Sequence, residues 1–248
     1  MFAGLKTARG VMRSLSIYYG DRKRAQAMDR LYGEFIWPGD LVFDIGAHVG
    51  DRTASFRRLG ARVVAVEPQP ALARTLRLIY GRDANVRIEQ CAIGRVEGET
   101  QLLVNADNPT VSTLSRNFVE AARDADGWRE QSWARSVAVR VTTLDALIEQ
   151  HGRPSFIKID IEGYEAEALA TLSPGVECLS FEFTTIQRDV AQQCLARCVA
   201  LGYIRFNAAL GESQRLVHGE WQSAEAIRQW LAALPHAANS GDIYAHLG

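Results

Sequence analysis

The chain has 248 residues, 47% of them apolar and 23% charged, which fits one large domain with a sizeable core and the composition of an ordinary globular enzyme. Its formal net charge of −1 creates no field to draw it to nucleic acid or an anionic membrane, so neither is expected as a partner. No apolar run approaches the ~20 residues of a membrane span, and no signal-peptide pattern opens the sequence, so a cytoplasmic location is the expectation.

In chain order, residues 1–37 read as a helical extension of mixed basic and apolar residues, followed by a main domain at 38–248. Pro38-Gly39-Asp40 is a turn, and 41–45 is a short apolar run that predicts a buried strand. Gly46-Ala47-His48-Val49-Gly50 breaks it, and 51–59 predicts a helix. A second strand is expected at 62–67, a helix at 70–80 with Pro in its first turn and Gly81 at its end, and a third strand at 86–91. Strand–helix alternation implies a parallel sheet with right-handed crossovers.

The middle departs from this rhythm. Stretches 99–105 and 137–142 are strand-like, and the polar stretch 106–136, with Trp128 and Trp133, reads as a partly helical excursion over the sheet edge, a cover or insertion. The two tryptophans either stack on an acceptor ring or anchor the excursion to the core. Alternation resumes with a helix at 144–150, a strand at 155–160, a helix at 164–172, a strand at 176–183 and a helix at 188–201. Strands at 203–208 and 214–218 are expected to complete a seven-stranded sheet, and Ser223 caps a last helix to Ala233. The expected class is α/β, doubly wound and Rossmann-like. The four cysteines form no CxxC pair and read as reduced, buried thiols rather than zinc ligands.

Three motifs carry chemistry. The first, Asp44 to Gly50, is a glycine-rich strand-to-helix turn that presents free N–H groups to a ligand. His48 stands where a dinucleotide fingerprint needs its second glycine, so G-x-G-x-x-G is absent. Asp44 suits a ligand with an ammonium group, such as the methionine end of S-adenosylmethionine. Asp44, Gly46, Ala47, His48 and Gly50 are therefore candidate cofactor contacts. The second motif is Glu67, with Pro68, ending the second strand 21 residues after Gly46, where a carboxylate accepts hydrogen bonds from ribose hydroxyls. Adenine is then expected near Gln90, Cys91 and Ala92.

The third motif runs from Lys158 to Glu165. Asp160 and Glu162 end an apolar strand and are candidates to bind cofactor, to bind an acceptor hydroxyl or to act as base. Glu165 either joins them or caps the next helix. Glu182 lies inside an apolar run and needs a partner or a role. Asp160 is the first candidate for base, Glu162 and Glu182 orient the acceptor, and Lys158 steadies the acids. Carboxylates such as Asp160 and Glu162 suit Mg²⁺, but no Asp-Asn pair follows to complete a site, so no metal is expected.

These motifs together resemble the FkbM-type methyltransferases: Pro38-Gly39-Asp40, Phe43-Asp44-Ile45-Gly46-Ala47, Val66-Glu67-Pro68, Thr143-Leu144-Asp145 and Ile157 to Glu165. The likeness runs from Pro38 to Phe183. It implies a class I methyltransferase fold, S-adenosylmethionine as cofactor, and O-methylation of a hydroxyl on a sugar, glycan or natural-product acceptor. His48 stands where the family usually has Asn, which leaves its role open. Two other readings compete: a nicotinamide oxidoreductase, which lacks its glycine fingerprint and a Tyr-x-x-x-Lys pair here, and a non-catalytic nucleotide-sensing module, which the many rim acids oppose.

Overall fold

The computed structural model describes residues 2–248; Met1, the first residue of the expected extension, lies outside the described residues. Helices α1 (Phe2–Tyr19) and α2 (Arg22–Tyr32) lead into β1 (Leu41–Ile45), α3 (Asp51–Arg58), β2 (Arg62–Val66), α4 (Pro70–Tyr80) and β3 (Val86–Glu89). Next come β4 (Ala92–Ile93), β5 (Gly98–Val104), a 3₁₀ turn at Pro109–Val111, α5 (Arg116–Arg123) and β6 (Arg135–Thr142). The chain ends with α6 (Leu144–His151), β7 (Phe156–Ile159), α7 (Glu165–Leu169), β8 (Cys178–Thr184), α8 (Arg188–Ala200), β9 (Arg205–Leu210), α9 (Ala224–Ala233) and β10 (Ser240–His246).

Seven strands form the main sheet in the order β3-β2-β1-β7-β8-β10-β9. The first five run parallel, and β10 runs antiparallel to both β8 and β9. Both faces are covered by helices, which is why the inner strands read as continuous apolar runs rather than alternating ones. Alternation still sorts the side chains by face. Phe43, Ile45, Ile157, Ile159, Phe181 and Ile243 pack with Leu147, Leu169 and Leu195 on one side. Val42, Val63, Phe156 and Tyr244 pack with Met28, Tyr32, Phe56 and Leu76 on the other. The carboxyl ends of β1, β2, β3 and β7 therefore emerge together at one rim.

The sheet corrects three expectations. Residues 214–218 add no strand; Leu216 makes only an isolated bridge to Ala209. The seventh strand is β10, which follows the last expected helix and lies between β8 and β9 rather than at an edge. Its interior run, Ile243-Tyr244-Ala245, is fully buried. The third strand stops at Glu89, because Ala92–Ile93 pairs instead with β6 in a separate three-stranded sheet of order β4-β6-β5. The strand-like stretches around residues 100 and 140 belong to that sheet. All four cysteines are free and buried, as expected, and among the described residues no helix is long and apolar enough to cross a membrane.

Candidate functional site

A cavity of about 240 Å³ opens at the rim where the strand ends meet. Ile45, Gly46, Ala47 and His48 line it from the first turn, Glu67 and Pro68 from the end of β2, and Cys91, Ala92 and Ile93 from β4 and the residue before it. Asp160, Glu162 and Lys158 line it from β7 and the turn after it, and Glu182 from β8. Most of the expected site is thus gathered around one space. Three expected contacts are not on its wall: Asp44, Gly50 and Gln90.

The two glycines of the first turn serve the fold more directly than a ligand. Gly46 has φ +84°, and a Cβ there would sit 1.8 Å from the carbonyl oxygen of Asp160, so it is required by the close approach of β7. Gly50 has φ +85° and would drive a Cβ against Leu76 and Tyr80, away from the cavity. Gln90 is turned outward, its side-chain oxygen accepting from Arg77 at 2.9 Å. Asp44 is fully buried behind the turn, where Thr53 Oγ1 donates to its Oδ2 at 2.6 Å. Its Oδ1 has no hydrogen-bond partner, and burial pushes the carboxyl up to about 6.

Glu67 is held by the backbone. His48 N donates to its Oε2 at 2.9 Å and Gln69 N to its Oε1 at 2.8 Å, so the carboxylate is fixed at the cavity wall. Burial nonetheless dominates and raises it to about 8. His48 has φ +52°, which turns its backbone N–H toward Glu67. Its ring packs edge-on to Tyr18 at 5.4 Å and lies 3.4 Å from Thr110 Oγ1. Burial lowers His48 to about 4, so the ring is neutral near pH 7.

Across the cavity lies an acidic cluster. Lys158, 1% exposed, bonds Asp160 Oδ2 through Nζ at 2.6 Å. Burial would raise Asp160, but the Lys158 charge and hydrogen bond overcome it and hold the carboxyl below its usual range. Glu162 and Glu182 are pushed well above theirs, by burial first and then by Asp160. One carboxylate oxygen from each of Asp160, Glu162 and Glu182 lies within 4.8 Å of the other two. Glu162 sits at φ +57°, a conformation unusual for a side chain of its size, and Thr113 Oγ1 pins its carbonyl at 2.7 Å. Glu165 stays off the cavity wall and holds this turn, accepting from Ile161 N at 2.9 Å and Gly163 N at 3.2 Å.

Several cavity residues carried no sequence signal. Tyr18 comes from α1, and Thr110 to Leu114 from the excursion. Asp51 and Arg52 sit at the start of α3, where Arg52 bonds Asp51 at 2.6 Å and Glu212 at 3.0 Å, and Arg24 joins both acids. Asp242, opposite Glu182 in the β8–β10 register, is buried with an unpartnered Oδ1. A single Asp ahead of Ile243-Tyr244-Ala245 was the one available hint. The tryptophans mainly pack the excursion on itself: Trp128 meets Phe118 edge-on at 5.2 Å and Trp133 donates to Val111 O at 2.6 Å, while Trp128 also ties it to the C-terminal segment by donating to Asn239 Oδ1. Trp128 also reaches the cavity wall.

The family described as "Methyltransferase FkbM domain" matches residues 44–238. A curated relative, the 31-O-demethyl-FK506 methyltransferase FkbM of Streptomyces tacrolimicus, is 29% identical over 167 residues. That alignment covers 57% of this chain and 64% of the relative, so the chain spans a little under two thirds of the relative's length. Among solved structures, the precorrin-6y C5,15-methyltransferase of Geobacter metallireducens has a TM-score of 0.44 at 13% identity, covering 91% of this chain and 87% of that one. A SAM-dependent O-methyltransferase of Thermotoga maritima also has a TM-score of 0.44 at 13% identity, with 91% and 64% covered.

Proposed function

The chain belongs to the FkbM methyltransferase family, and from that premise we propose that its rim cavity transfers a methyl group from S-adenosylmethionine to a hydroxyl oxygen of a sugar, glycan or natural-product acceptor. One observation carries the reading: a fixed Glu67 carboxylate faces an acidic cluster across a single cavity that is apolar at Cys91, Ala92 and Ile93. The first side fits a nucleoside. Glu67 would accept from the ribose hydroxyls and the apolar trio would face adenine, while Asp44 stays behind the turn and off this wall. The Streptomyces tacrolimicus relative is itself named as a 31-O-demethyl-FK506 methyltransferase, which agrees with an oxygen acceptor.

S-adenosylmethionine supplies a methyl group already activated by its sulfonium, so the chain's residues need chiefly to align an oxygen and receive its proton. Asp160, kept ionised by Lys158, accepts the proton of the acceptor hydroxyl as the new bond forms. Glu162 and Glu182 hydrogen-bond the acceptor and set its orientation. His48 stays neutral and holds Glu67 through its backbone. The 106–136 excursion covers the site and excludes water.

Titration of the protein with S-adenosylmethionine, S-adenosylhomocysteine, NAD and NADP tests the cofactor assignment through the rise in melting temperature that binding produces. The first two are expected to stabilise and the nicotinamides not. Glu67→Ala should fold and weaken S-adenosylmethionine by about 10–100-fold, the loss of charge-assisted hydrogen bonds worth about 1.5–3 kcal/mol. Unchanged affinity in that variant sinks the assignment. Incubation with labelled donor and a panel of polyhydroxylated acceptors, followed by mass spectrometry, must find the methyl on oxygen rather than on nitrogen or carbon.

A further inference from the structure

We propose that Asp160, Glu162 and Glu182 form a binding site for a hard divalent cation such as Mg²⁺ or Mn²⁺. The site stands on its own geometry; only the cation's role, holding the acceptor oxygen, rests on the function proposed above. The three carboxylates come from three places, the end of β7, the turn after it and β8, yet one oxygen of each lies within 4.8 Å of the others. Oxygens bound to one Mg²⁺ at about 2.0–2.1 Å lie at most about 4.2 Å apart, and those on one Ca²⁺ at about 2.3–2.6 Å at most about 5 Å, so a cluster within 4.8 Å needs only small side-chain adjustment to close on such an ion.

A second observation points to a missing ligand. Glu162 is only 6% exposed and lines the cavity, and its Oε2 has no hydrogen-bond partner. A buried carboxylate oxygen left without donor or cation is costly. Lys158 does not meet this need: its ammonium bonds Oδ2 of Asp160 and none of the atoms of Glu162 or Glu182. One lysine thus faces three carboxylates, with Asp242 buried nearby.

The cluster is also built before any ion arrives. Thr113 holds the carbonyl of Glu162, Glu165 holds Ile161 N and Gly163 N, and β-pairing fixes Glu182. Three protein oxygens would leave the remaining positions of an octahedral ion to water and to an acceptor oxygen facing the cavity. The sequence concealed this because the third ligand lies on the next strand, 20 or more residues from the other two, and not beside them.

The test is Mn²⁺ alone, titrated into the full chain and read by calorimetry and by electron paramagnetic resonance, without acceptor or donor. Wild type is expected to bind one equivalent saturably. Glu162→Gln and Glu182→Gln should each weaken binding by at least ~10-fold, and the exposed control Glu225→Gln should not. Melting in EDTA checks that both variants fold; Asp160→Asn replaces either one that does not, with the same loss expected. No saturable binding by wild type up to millimolar Mn²⁺, or binding unchanged in the folded variants, overturns the site. Titration with S-adenosylmethionine in EDTA keeps the two readings apart: failure there overturns the methyl-transfer reading and leaves the cation site standing.

Discussion

The Glu67 carboxyl accepts two backbone N–H groups, yet burial outweighs both and raises it to about 8 from its ordinary value of 4.5. Its proton is therefore held in the folded, ligand-free protein at pH 7 and absent in the unfolded chain. Stability from this group is full below pH 4.5 and is lost as pH rises to about 8, because the folded state binds the extra proton. Ribose hydroxyls donate more strongly to the ionised form than to the protonated one, so S-adenosylmethionine affinity should move the other way. It should rise with pH toward 8, by at most ~10-fold per unit, and level off above. Asp44, raised to about 6, adds to the lower part of the same window. Calorimetry across pH 6 to 9 checks this, and a rise that persists in Glu67→Gln would assign it elsewhere. Asp160 behaves oppositely, since Lys158 keeps it ionised throughout. Asp160→Asn should lower turnover by roughly 10²–10⁴-fold while S-adenosylmethionine affinity, measured separately, stays within a few-fold. Near-normal turnover would remove it from the proton transfer.

Among the elements, those that pack in strand–helix alternation were legible because each obeys a local rule. The apolar run at β1, Pro at the first position of α4 and the Thr143 and Ser223 caps announce themselves within a few residues. What was not legible depends on tertiary pairing. The β3 run reads as continuous to Cys91, but Ala92–Ile93 is claimed by β6, about 50 residues later in the chain. Residues 214–218 have the composition of a strand and lie along the outer edge of β9, but they meet it only through an isolated bridge, while β10 pairs along its other edge. In the site, Glu67 and Asp160 stood at strand ends where ligand chemistry is expected, whereas Tyr18 and Thr110 reach the cavity from elements with no motif. The excursion illustrates the same limit. Its tryptophans are visible in sequence, but only packing shows that Trp128 both anchors against Phe118 and touches the cavity. Deleting the whole stretch would remove Thr113, which holds the Glu162 carbonyl, along with the cover, so Trp128→Phe is the cleaner probe. It keeps the ring contact and removes the hydrogen bond to Asn239. Turnover should fall several-fold with little change in cofactor affinity; equal losses in both would mean that the excursion supports the donor side as well.

At the scale of the whole molecule, the two ends of the chain contribute to stability in different ways. The last strand, β10, is interior: it pairs with β8 over seven residues and with β9 over six, and Ile243, Tyr244 and Ala245 are buried between helices on both faces. Removing residues 240–248 would leave two facing strand edges unpaired, separate β9 from the sheet and open both cores at once. By contrast α1 lies outside the sheet. It is tied by the small cluster of Val11, Val49 and Leu72 and by the Tyr19 hydroxyl, which donates to Val49 O at 3.0 Å and meets the Tyr80 hydroxyl at 2.8 Å. Tyr18 is its contribution to the cavity wall, over His48. A chain lacking residues 1–19 should therefore keep a cooperative urea transition, with a slope reduced only in proportion to the surface lost. It should bind S-adenosylmethionine more weakly, because His48 and the backbone N–H it offers Glu67 lose their cover. A chain lacking residues 240–248 should show no cooperative transition at all. If the C-terminal deletion folds cooperatively, or the N-terminal one does not, the sheet order derived from β10 does not govern the stability of this fold.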